Sequence, residues 1–103
     1  MRKTTTDAMH LGLGRAVVDL RARLHWGQED LADAMHKQDK TLTPDRITVS
    51  RWERGEHAPS ETHRLALARI AAKHEYDDLV ELFRAPISAW RLVGHMKLGS
   101  KAE

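Results

Sequence analysis

Apolar residues recur along this chain at intervals of three and four, the period that gathers them on one side of an α-helix. Val17, Leu20 and Leu24 form the first such stripe and predict a helix that ends near Leu24 and starts near Asp7 or only after Gly14. Gly12 and Gly14 weaken its early part, since glycine costs about 1 kcal/mol relative to alanine inside a helix. His25-Trp26-Gly27 reads as a break. A second helix begins at Gln28, with Gly27 as a weak N-cap and Leu31, Ala32 and Met35 as its buried stripe. Glu29 and Asp30 fall in its first turn, where the helix dipole favours acids. Lys37 to Leu42 reads as a polar loop. Thr43-Pro44 predicts the next start, with Thr43 as N-cap, Pro44 in the first helical position and Asp45 as a rival cap. That third helix runs to about Arg54 and stops at Gly55. Ser60 caps a fourth helix carrying Leu65, Leu67, Ala68, Ile70 and Ala71, and a fifth, from Tyr76 to Phe83, carries Leu79, Leu82 and Phe83.

Nothing alternates with the period of a strand, and Pro44, Pro59 and Pro86 fall between the periodic segments. The expected fold is all-α, with five helices. Ser88 is a candidate cap for a short sixth, C-terminal helix carrying Ala89, Trp90, Leu92, Val93 and Met96. We therefore expect one domain over residues 1–85, with its core in 13–83, and a C-terminal extension over 86–103. This tail is either a sixth core helix or, since five helices should close a core alone, a dimerisation or partner surface formed by Trp90, Val93 and Met96.

Composition narrows the function. At 103 residues the chain has room for one core and no second module. It has no cysteine, which removes disulfides, thiolate zinc sites and cysteine nucleophiles, and fits a reducing cytoplasm. No apolar run approaches the roughly 20 residues of a membrane span, and the opening MRKTTTDAMH lacks the apolar stretch of a secretory signal. A net charge of +2 says little by itself, so the placement of the arginines matters more.

That placement is informative on the third helix. Val49 and Trp52, three apart, must face the core, which turns Ile47, Arg51 and Arg54 outward, with Thr48 and Ser50 on the flanks. Arginine can donate two hydrogen bonds to guanine O6 and N7, an apolar side chain can touch a thymine methyl, and hydroxyls can bond bases or phosphates. Two plainer readings compete. Ile47 can pack beneath the Lys37–Leu42 loop, and Arg51 and Arg54 can form a solvated face paired with Glu56 or Asp45.

The spacing of the neighbours adds a resemblance. A helix opening Gln28-Glu29-Asp30-Leu31-Ala32, a turn, and a helix ending Ser50-Arg51-Trp52-Glu53-Arg54-Gly55 before Pro59 is similar to the Xre/Cro-type, lambda-repressor-like helix-turn-helix family. Gly14, Leu20, Arg21, Leu24, Val49, Leu67, Ile70 and Ala71 join the match, which covers about Leu13 to Leu82. The resemblance implies a five-helix domain that binds double-stranded DNA with its third helix in the major groove. It implies base reading by Arg46, Ile47 and Arg51, and backbone or flanking contacts from Gln28, Thr48, Ser50 and Arg54. Arg21 and Glu53 match a family pair that joins the first helix to the third.

Three features depart from the family pattern. His36 to Thr43 is about seven residues longer than the usual turn, and its Lys37 and Lys40 either reach phosphates or are surface. Gly27 stands where a serine or threonine is usual, and the chain after Arg84 has no family counterpart. The expected function is a cytoplasmic transcriptional regulator, a repressor acting as a homodimer on an inverted-repeat operator. The alternative is an antitoxin-type autoregulator that binds a protein partner through its tail and DNA through the same helices.

Other signals are weaker. Gly12-Leu13-Gly14 lacks the third glycine and preceding strand of a dinucleotide fingerprint. No two of the seven histidines stand three or four apart, so no metal site or cofactor is expected. No serine has a plausible triad around it, and Asp77, Asp78 and Glu81 suit a helix start, so no enzymatic activity is expected either.

Overall fold

A computed structural model describes residues 5–85, with side chains from Gly12 onward. The first apolar stripe folds as one continuous helix, α1 (Thr5–Leu24), which runs through both glycines. The others are α2 (Gln28–Gln38), α3 (Arg46–Glu53), α4 (Glu61–Lys73) and α5 (Asp77–Arg84). The described residues are thus all-α. α4 and α5 form a packed pair, α1 lies against α3 and α5, and α2 lies against α3 and α4. Leu13, Val17 and Leu20 of α1 meet Leu31 and Met35 of α2, Val49 and Trp52 of α3, Leu67 and Ile70 of α4, and Leu79 and Phe83 of α5 in one core.

Gly14 decides how closely α1 and α3 can meet. A Cβ at this position would lie 2.4 Å from the Trp52 carbonyl oxygen and 3.0 Å from that of Glu53. The helix tolerates this glycine because backbone packs directly against backbone there.

Three helices end in the same way. The chain turns left-handed at His25 (φ 58°), Gly55 (φ 77°) and Glu75 (φ 62°). The next amide then reaches back five residues, from Trp26 to Arg21 (3.1 Å), Glu56 to Arg51 (2.9 Å) and Tyr76 to Ala71 (2.9 Å). This bond satisfies carbonyls that a helix end leaves open.

The expected α2–α3 boundary needs correction. α2 continues through Lys37 and Gln38, so the connector is residues 39–45. The cap of α3 is Asp45 and not Thr43: its Oδ1 accepts both the Thr48 amide and the Thr48 hydroxyl at 2.8 Å. A carboxylate brings a full charge to the positive end of the helix, which a threonine hydroxyl cannot. Pro44 accordingly precedes the helix. On α4, Leu65 is 37% exposed while Arg64 is 5% exposed, the reverse of the expected stripe. Residue 65 sits beside the Arg64–Leu67–Ala71 row that faces the core. Arg64 Nη1 donates to the Ala85 carbonyl at 2.7 Å, tying down the end of α5, while its buried Nε has no partner. Leu82 of α5 is only half-buried. The expected sixth helix, with Trp90, Val93 and Met96, lies outside the described residues. No helix among the described residues is long and apolar enough to cross a membrane.

Candidate nucleic-acid interface

α3 is fixed by its inner face and leaves its outer face open. Val49 and Trp52 are buried, whereas Arg46, Ile47, Arg51 and Arg54 are exposed. Ile47 is 50% exposed, so it does not pack under the connector. The side chains of Arg46 and Arg51 make no hydrogen bond or ion pair among the described residues. Asp45 and Glu56 feel the charge of Arg51 only at longer range.

The other polar groups of α3 are already engaged. Thr48 is held by the Asp45 cap. Arg54 donates from Nε to Glu56 at 2.8 Å, from Nη2 to the same carboxylate at 3.3 Å, and from Nη1 to the Ser50 hydroxyl. Of the pairing with nearby acids in the competing reading, the structure shows Arg54 with Glu56, while Arg51 is exposed and unpaired, as a solvated face also has it.

One carboxylate sets the angle of α3. Glu53 accepts from Arg21 Nε (2.7 Å) and Nη2 (3.0 Å) on α1, and from Gln28 Nε2 (2.9 Å) at the start of α2. Arg21 also donates to the Trp26 carbonyl at 3.0 Å. The Glu53 side chain is only 9% exposed, so its charge is satisfied internally. The hydrogen bond that Arg21 donates to Glu53 is the main cause that raises the Arg21 pKa above its already high value. The expected Arg21–Glu53 pair is present, and Gln28 joins it through one of its two amide hydrogens. No spacing rule in the sequence announces that third member. Gly27 supplies no side-chain cap to α2, but its amide donates to Asp30 at 2.8 Å.

The connector is anchored at two points. Asp39 accepts from the Thr41 amide (3.0 Å) and hydroxyl (2.6 Å). Leu42 is buried, and its carbonyl accepts from His36 Nδ1 at 2.8 Å. Lys40 is exposed beside Asp39, whose carboxylate senses Arg69 and His63 of α4. Lys37 lines a shallow groove between α2 and α4 with Trp26, Ile70, Lys73 and His74. Lys37 thus lies in the α2–α4 groove, away from the outer face of α3.

Beneath α3, the His63 ring meets the Trp52 indole edge-on at 5.2 Å, and its Nδ1 lies 2.8 Å from the Ser60 hydroxyl. Burial lowers the His63 pKa, with Asp39 opposing the shift. No protein-family profile, curated protein or solved structure matches this chain.

Proposed function

We propose that this chain is a helix-turn-helix regulator that binds double-stranded DNA with α3 in the major groove. One observation carries the reading. α3 presents two unpaired guanidinium groups, Arg46 and Arg51, on either side of a half-exposed isoleucine, Ile47. That set can read guanine edges and a thymine methyl together. Support also comes from the brace at Glu53, which holds α3 at a fixed angle to α1 and α2. A reader of base edges must be rigid, because its contacts are directional.

In this reading Gln28 offers its remaining amide hydrogen, with the open N–H groups of the α2 N-terminus, to a backbone phosphate. Phosphate contacts set orientation while Arg46, Ile47 and Arg51 set sequence preference. The protein acts in the cytoplasm as a homodimer, which places two copies of α3 in successive major grooves about 34–36 Å apart on an inverted repeat. Regulation is by occupancy, most simply repression.

Selection of bound duplexes from a random library at fixed moderate salt is the direct test. The expected result is a palindromic motif with half-sites near one helical turn apart. Arg51→Ala should cost about 1–3 kcal/mol on the selected site and relax preference at one base pair. An equal loss on selected and random duplexes would remove Arg51 from the base-reading set. No enriched motif at all would overturn the function.

A further inference from the structure

The third outward arginine differs from the other two. Arg54 is gripped at both ends of its guanidinium fork, by the Glu56 carboxylate and by the Ser50 hydroxyl. Both members of the ion pair are about half exposed, 54% for Arg54 and 47% for Glu56, so the pair stands at the surface where a ligand of α3 would arrive. Glu56 follows Gly55, and the left-handed turn there, closed by the Glu56 amide on the Arg51 carbonyl, swings the chain back beside the helix it has just left. The Arg54 hydrogen bond, and at longer range the charges of Arg51 and His57, hold the carboxylate in its charged form. A negative charge at this place opposes any polyanion.

We infer that Glu56 sets the sequence-independent part of the affinity, as a fixed counter-charge that occupies Arg54 and withholds it from phosphate. The inference rests on the DNA-binding reading given above. Its physical basis is the difference between the two kinds of contact. A phosphate contact contributes equally to every sequence, whereas a base contact contributes only to the correct one. Arg54, at the C-terminal end of α3, is free to act only on the backbone if Glu56 releases it. With Glu56 in place the sequence-independent part of the affinity is held down, and Arg46 and Arg51 supply a larger share of the total. Ser50 completes the grip, since its hydroxyl takes the guanidinium nitrogen that Glu56 does not.

A two-by-two set of variants tests this: the full chain, Glu56→Gln, Arg54→Ala, and the two combined. Each is titrated with a random duplex and with the selected site over a range of salt. Glu56→Gln is expected to bind random duplexes several-fold more tightly and to steepen the dependence of log affinity on log salt by about 0.9, the signature of one added phosphate contact. The selected site should gain by about the same factor, so the preference between the two duplexes is unchanged. In the Arg54→Ala background the same substitution should have almost no effect. An equal gain from Glu56→Gln with and without Arg54 would overturn the inference, because it would mean that Glu56 acts by general repulsion. No change on Glu56→Gln would overturn it as well. Both failures leave specific binding by the full chain intact. Failure of the underlying reading looks different, with no duplex preferred by any of the four proteins. Circular dichroism and thermal midpoints of the four should coincide, since both side chains are on the surface.

Discussion

Replacing Gly14 by alanine should separate two effects that usually act together. In an ordinary helix interior the change gains up to about 1 kcal/mol, because alanine is the better helix former. In α1 it adds a Cβ 2.4 Å from the Trp52 carbonyl oxygen and close to two backbone atoms of Glu53. None of these is the end of a flexible side chain, so α1 and α3 must part by more than half an ångström. The movement loosens Leu13 and Val17 against Trp52 in the core and stretches the Arg21–Glu53 bonds, now 2.7 and 3.0 Å. Overpacking of this kind costs about 1–3 kcal/mol and more when backbone must shift, so the net loss should be about 2 kcal/mol. For a domain of this size that lowers the thermal midpoint by roughly 8–16 °C. Urea unfolding followed by circular dichroism and by tryptophan fluorescence measures the loss. A variant as stable as the parent, or more so, would refute the claim that glycine is present for the helix contact.

Three further outcomes follow from the same contacts. Glu53→Gln should cost about 1–3 kcal/mol in urea unfolding, because it weakens the acceptor for Arg21 and Gln28 in a site that is mostly buried; a neutral result would show that the brace does not hold the helices. Asp45→Ala should lower the thermal midpoint by a few degrees while Thr43→Ala leaves it unchanged, as Asp45 alone caps α3; the opposite ranking would restore Thr43 to the cap. Burial depresses the His63 pKa, so the folded chain binds fewer protons than the unfolded chain below about pH 6.5. Stability should therefore be flat near neutrality and fall as pH drops from about 6.5 through the folded value, and His63→Asn should flatten that part of the curve. A profile identical in the variant would exclude His63 as the cause.

Much of this fold is legible from residue order. The breaks at His25–Gly27 and Gly55, the Ser60 cap and the buried pair Val49 and Trp52 follow from periodicity and local chemistry, which depend on near neighbours. The misplacements arise where distant parts of the chain decide. Lys37 and Gln38 look like loop because they are polar, yet they complete the last turn of α2, and Asp39 caps it through its backbone on Met35. Glycine signals a left-handed end at position 55, but His25 and Glu75 adopt the same conformation with no sequence signal, because the following amide bond and packing impose it. Arg64 is buried because it reaches Ala85 on another helix, a contact no helical wheel contains.

At the candidate site the outward face of α3 is legible, since burial of Val49 and Trp52 fixes it. The state of each arginine is not. Whether Arg54 is free or paired depends on how the chain folds back after Gly55, and that is a property of three-dimensional placement.

The brace at Glu53 has a consequence for how such a chain can change. Because α1, α2 and α3 all bond to one carboxylate, α2 and α3 are held together by a contact outside the segment that joins them. Leu42 and His36 moor the first part of that segment to α2, and Asp45 moors its end to α3, which leaves the exposed Thr43 between two fixed ends. Lengthening a loop adds only a slowly growing entropy cost. The stretch around Thr43 is therefore a natural point for insertion, where a peptide or a small domain can be added while the outer face of α3 keeps its geometry.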